Sequence, residues 1–183
     1  MKNFDEWVHD LLDLKRCPRS GWFRIGIERP ESVADHSFAV GLLAWQIAER
    51  EGLDSGKALL MGLLHDFHEA KLGDIPTPFK KWLGLERVLE AEEAIQNSQW
   101  EGLPGKGREV LEELMKGESP EASLVHAIDA LEFAFQALRY REAGNQGAEL
   151  FLEGMRDSAA AKHPLTSGLL EELLDKKKPP KGE

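Results

Sequence analysis

Apolar residues along this chain recur at helical spacing in one segment after another. Phe4, Trp7, Val8, Leu11, Leu12 and Leu14 predict a first helix that ends near Cys17-Pro18, because proline disfavours helix at the residue before it. Ser32 can cap a second helix over 33–52. Val33, Phe38, Val40, Leu42, Leu43, Trp45, Ile47 and Ala48 cover enough of its surface for a central position, and Gly52 ends it. Asp54 or Ser55 caps a third, running through Leu59, Leu60, Leu63, Leu64, Phe67 and Ala70 to Gly73 and the turn-rich stretch 74–78. The short link predicts that the second and third helices are antiparallel neighbours. Further helices are expected at about 86–100, 108–116, 120–142, 145–160 and 167–175. Residues 18–31 hold two prolines, two glycines and three arginines, the composition of a loop longer than most connections in a compact domain.

Leu, Ala and Glu far outnumber Val, Ile and Thr, which turns the periodicity into a fold class: an all-α, single-domain bundle of about six to eight helices. A chain of 183 residues suffices for one core, expected within 1–175, with KKKPPKGE at 176–183 as a disordered tail. The formal charge of −10 argues against a surface that holds nucleic acid by displacing counterions, and points to small molecules or proteins as partners. Cys17 is the only cysteine, which excludes an intrachain disulfide and a site with two thiolate ligands. No run approaches the ~18 uncharged residues of a membrane span. Asp5, Glu6, Asp10 and Asp13 interrupt the first apolar residues, unlike a secretory signal, so a cytoplasmic protein is expected.

Several polar residues sit where the pattern calls for apolar ones. In LLMGLLHDFHEAKLGD, His65 and Asp66 interrupt an apolar helix, and burying either group unpaired costs several kcal/mol, roughly. At about 100° per residue, Glu69 falls between His65 and Asp66 one turn further on, so the three side chains can converge. Asp129 repeats the anomaly within LVHAIDALEFAFQAL, and His36 opens the apolar helix 33–48. A lone His or Asp in a bundle is more often a hydrogen-bonded core residue than a ligand. Two imidazoles and two carboxylates from three helices together match a borderline or hard divalent cation with positions left for water. His68 projects away from Glu69 and reads as a rim or structural residue. His126 can orient Asp129 or serve structure alone, and Asp35 can favour the helix dipole or orient a ligand.

This H…HD…D arrangement resembles the HD-domain metal-dependent phosphohydrolase superfamily. The segments RCPRSGWFRIGIERPESVADHS, LLHDFHEAKLGDIPTP and LVHAIDALEFAFQAL are similar to the branch containing bacterial 5′-deoxynucleotidases and their eukaryotic HD-domain relatives, over about residues 4–142. The resemblance implies His36, His65, Asp66 and Asp129 as metal ligands, Glu69 as the group handling protons at an attacking water, and Asp74 as a second acid near the substrate. It implies that Trp22 disfavours a ribose 2′-hydroxyl and that Arg19 binds the phosphate. Gly21 stands between Arg19 and Trp22 in the PR-x-GW order of the eukaryotic relatives, so Arg24 is the alternative for that role. Thr77 is a further substrate contact. The implied reaction converts a deoxyribonucleoside 5′-monophosphate to deoxyribonucleoside and phosphate, in a homodimer, with a divalent cofactor. Two imidazoles favour cobalt, manganese or zinc over magnesium. Two other readings stand beside it: a phosphohydrolase acting on another nucleotide or a phosphorylated nucleoside analogue, and a non-catalytic nucleotide-binding regulatory module. The intact ligand set and Glu69 argue against the second. The amphipathic segments within 145–175 can supply a dimer contact or close the core.

Overall fold

The computed structural model describes residues 2–101 and 104–175, so the expected tail at 176–183 lies outside the described residues. The architecture is the expected all-α bundle. It comprises α1 (Lys2–Leu14), α2 (Val33–Glu51), α3 (Ser55–Leu64), α4 (Glu69–Leu72), α5 (Thr77–Leu83) and α6 (Leu85–Gln99). There follow α7 (Lys106–Lys116), α8 (Pro120–Glu142), α9 (Ala148–Gly154), α10 (Ala159–Lys162) and α11 (Ser167–Asp175). The loop 18–31 contains a 3₁₀ turn at Ser20–Ile25, and a bridge between Pro18 and Ser32 closes its base. No described helix is long and apolar enough to cross a membrane.

The start and stop signals of α2 and α3 act as their chemistry dictates. The Ser32 hydroxyl accepts the Asp35 N–H while the Asp35 carboxylate accepts the Ser32 N–H, a reciprocal cap that accounts for Asp35. Gly52 ends α2 at φ 71°, and the Asp54 side chain, rather than Ser55, caps α3. The two helices then approach so closely that a Cβ on Gly62 would lie 2.7 Å from Gly41 Cα. The buried stripe of α2 is therefore built of Val33, His36, Ser37, Val40, Gly41, Ala44 and Ala48, mostly small residues. Phe38, Leu42 and Trp45, expected to cover a central helix, are 60%, 44% and 40% exposed, because the close crossing leaves no room for them on the inner side. The central rod is instead α8. Ser119 caps it, Pro120 occupies its first turn, and Ala122, Leu124, Val125, Ile128, Leu131, Ala134 and Leu138 are all buried.

Three expected boundaries differ. The helix expected to continue from 55 to 70 stops at Leu64, since Phe67, Glu69 and Ala70 donate to the carbonyls of Leu64, Asp66 and Phe67, a tighter i→i−3 pattern. Helix α5 formed no part of the expected pattern. The segment 145–160 divides into α9, a 3₁₀ turn at Met155–Asp157, and α10, which Ser158 caps. Leu152, Ala160, Leu170, Leu173 and Leu174 belong to the core cluster, so the apolar stripes of this region close the bundle.

The α2–α3 crossing generates a stability prediction. Alanine normally favours a helix over glycine by about 1 kcal/mol. At Gly62 the added methyl meets backbone that cannot yield, so Gly62→Ala lowers stability by about 1–3 kcal/mol, read as a reduced denaturant midpoint by circular dichroism.

Candidate metal centre

Antiparallel helices crossing at Gly41 and Gly62 place residues shortly before the first and shortly after the second on the same side. That is where His36 and His65 stand, with ring centroids 5.2 Å apart. Each ring is oriented from behind through its Nδ1. His36 Nδ1 lies 2.6 Å from Glu132 Oε2 of α8, and His65 Nδ1 lies 2.8 Å from the Gly62 carbonyl. Both Nε2 atoms are thereby turned inward, where they are buried and have no hydrogen-bond partner. The i→i−3 tightening after Leu64 swings Asp66 toward its neighbour, so that Oδ2 lies 3.1 Å from His65 Nε2 and 3.8 Å from His36 Nε2. Asp129, from α8, places Oδ1 at 3.0 Å from His36 Nε2 and 3.9 Å from His65 Nε2. Asp66 and Asp129 thus each approach both imidazoles. His36, His65 and Asp66 offer ligand atoms all within 4.8 Å of one another.

Two buried imidazole nitrogens without partners, aimed at two carboxylates, are the donor set of a divalent cation, and the residues fit one. Without the cation, protons take its place. Burial alone would lower the pKa of His36, but the Asp129 and Glu132 carboxylates on either side of the ring outweigh it and hold the imidazole up to about 10. His65 is likewise raised against its own burial, by Asp66. Burial works against the charge of Asp66, yet His65, Arg19 and His36 hold its carboxyl well below the usual range. Asp129 is lowered by His36 and His65 in the same way.

Asp66 and Asp129 line the floor of a cavity of about 650 Å³, a volume suited to a small organic ligand, with the two imidazoles behind them. Asp129 is 41% exposed toward solvent. Arg19, from the front loop, donates to Asp66 Oδ2 at 3.1 Å, and Asp74 Oδ1 lies 3.9 Å from the same guanidinium nitrogen. Asp74 also secures that loop, its Oδ2 accepting the Ser20 hydroxyl at 2.9 Å together with the Ser20 N–H. Glu69 is buried with Oε2 unpartnered, and burial reinforced by Asp66 and Asp74 pushes its carboxyl up to about 9. Arg24 stands further out with its guanidinium 5.9 Å from the Phe151 ring centre. Trp22 lines the wall while being almost wholly covered, stacked on Phe133 with centroids 4.5 Å apart. Thr77 lies on the rim at the start of α5.

Some functional neighbours escaped the sequence pattern. Glu132 carried a usable signal, being a second acid one turn beyond Asp129 in the same apolar stretch. Lys80 lines the cavity with its ammonium 2.9 Å from Glu92, and Leu150, Phe151 and Met155 furnish an apolar wall, but nothing in their spacing distinguishes them from surface or core. His68 packs beside Glu92 at 3.6 Å, and His126 lies 3.1 Å from the Leu114 carbonyl, tying α8 to α7; both are structural.

Two imidazoles and two carboxylates gathered from three segments of a helical bundle, beneath a cavity, make a candidate centre for a divalent cation. The chain belongs to the HD domain family, whose model matches residues 11–166. It is 30% identical to a bovine 5′-deoxynucleotidase HDDC2, over 94% of this chain and 84% of that one, and 32% identical to the mouse protein of the same name, over 87% and 81%. Among solved structures, the PH0347 protein of Pyrococcus horikoshii is 30% identical with a TM-score of 0.74, covering 93% of this chain and 98% of that one. The fold is also that of a cyanophage S-2L HD phosphohydrolase bound to dA and one catalytic Zn2+, at 22% identity and a TM-score of 0.55, covering 92% and 94%.

The protons on the imidazoles set the pH dependence of metal uptake. A folded-state value near 10 for His36 means that an incoming ion displaces a proton at every pH below that, so affinity falls as pH is lowered and rises toward about 10. Calorimetric titration with Mn2+ at pH 7, in two buffers of different ionisation enthalpy, should reveal net proton release; buffer-independent heats would contradict it.

Proposed function

We propose that this chain hydrolyses deoxyribonucleoside 5′-monophosphates to the deoxyribonucleoside and inorganic phosphate, the activity that its curated relatives carry in their names. The observation that carries the reading is the pair of unpartnered, buried Nε2 atoms facing Asp66 and Asp129 beneath a cavity lined by arginines and aromatic rings. A divalent ion bound there supplies Lewis acidity toward a phosphoryl oxygen and acidifies water toward pKa ~7. Cobalt, manganese and zinc suit the two imidazoles better than magnesium does.

The chain's own groups account for the rest. Two neutral imidazoles and two carboxylates balance a dication, so the floor has no net charge with which to trap the phosphate product. Arg19, next to Asp66 and Asp74, is the cation nearest the floor and binds the phosphoryl oxygens. Arg24, at Phe151, faces the outer part of the substrate and joins the aromatic wall that takes the nucleobase. Glu69 is buried, unpartnered and adjacent to Asp66; a dication bound beside it would offset the Asp66 charge and favour its carboxylate form, which accepts the proton of the attacking water. Asp74 is the second acid near the leaving oxygen while also fixing the loop that carries Arg19. Trp22 and Thr77 contact the sugar side, and Trp22 closes the wall against a 2′-hydroxyl.

Asp66→Asn should abolish metal-dependent phosphate release from deoxyribonucleoside monophosphates while leaving the far-ultraviolet circular dichroism of the bundle intact. Glu69→Gln should lower kcat by about 10²–10⁴-fold with little change in KM, measured by phosphate release from the metal-loaded protein. A metal-loaded wild type that releases no phosphate from any such nucleotide would defeat the reading.

A further inference from the structure

Glu31 makes contacts that the proposed reaction does not use. Its carbonyl accepts the Arg19 N–H at 3.0 Å, and its own N–H donates to the Tyr140 hydroxyl of α8 at 3.0 Å. Its Oε1 accepts the Trp22 indole N–H at 3.0 Å. The carboxylate also stands within 4.8 Å of a His36 ring nitrogen and of the Glu132 carboxylate, a like charge beside it. Tethering Trp22 alone would require only an acceptor.

The indole is held on its faces and edges by Phe133, Tyr140 and Phe151, with centroids at 4.5, 4.9 and 5.3 Å. Ring stacking is tolerant of rotation within the plane of the ring, whereas a hydrogen bond is directional. The bond from Nε1 to Glu31 is thus the contact that fixes which edge of Trp22 is presented to the cavity. We infer that Glu31 is a positioning residue for sugar discrimination, holding Trp22 so that its edge excludes a ribose 2′-hydroxyl. The inference rests on the proposed role of Trp22 and extends it to a residue that does not line the cavity.

The test compares kcat/KM for a deoxyribonucleoside 5′-monophosphate and its ribonucleotide in the metal-loaded wild type, Glu31→Leu, Glu31→Gln, Trp22→Phe and Trp22→Ala. Glu31→Leu removes the acceptor and should narrow the deoxy-to-ribo ratio by about tenfold or more, the scale on which pocket fit discriminates. Glu31→Gln retains an acceptor and should restore most of the ratio. Trp22→Phe removes the donor and keeps an aromatic ring, and should narrow the ratio as Glu31→Leu does, which preserves the test if the latter fails to fold. A purely structural role would lower both substrates in proportion and leave the ratio unchanged, which would overturn the inference. If Trp22→Ala collapses the ratio while Glu31→Leu and Trp22→Phe leave it intact, the role of Trp22 stands and that of Glu31 is overturned. If Trp22→Ala leaves it intact, both are overturned.

Discussion

The close crossing of α2 and α3 at two glycines is the constraint from which the site follows. With no side chain between them at Gly41 and Gly62, the helix backbones touch, and the imidazoles on the same side of the crossing are brought within 5.2 Å. A wider separation would leave room for bulky apolar residues but would part the rings. The sequence of α2 shows the accommodation, placing Val40, Gly41 and Ala44 inward and Phe38, Leu42 and Trp45 outward. Packing density and chemistry are thus settled by the same pair of glycines.

Once the rings face each other, electrostatics decides the rest. Buried imidazoles and carboxylates are each unfavourable alone, and they coexist because every charge has an opposite within about 4 Å. Protons on His36 and His65 balance Asp66 and Asp129; a cation bound there would do so in their place and release them. Arg19 adds a fixed positive charge beside Asp66. The overall charge of −10 does not describe the cavity, whose lining includes Arg19, Arg24 and Lys80.

The parts of the molecule legible in the sequence were those where burial conflicts with residue type. His36, His65, Asp66 and Asp129 stood out because each interrupts an apolar helix, and Ser32, Gly52 and Asp54 because capping chemistry is local. What escaped depends on tertiary context. The turn after Leu64 tightens although its residues suit a continuous helix. Helix α5 escaped because Pro76 and Pro78 suggest a turn and because Phe79, Trp82 and Leu83 face solvent, giving no core-facing period. Nothing in its spacing distinguishes Glu31, whose link to Trp22 exists only after the loop folds back. Asp74 was legible as an acid near the site, but its grip on Ser20 was not.

Helix α8 contributes both Asp129, which faces the centre, and Glu132, which props His36 from behind. Because both carboxylates project from one rod while the imidazole they flank belongs to another, the register of α8 against α2 governs at once what His36 faces and what stands behind it.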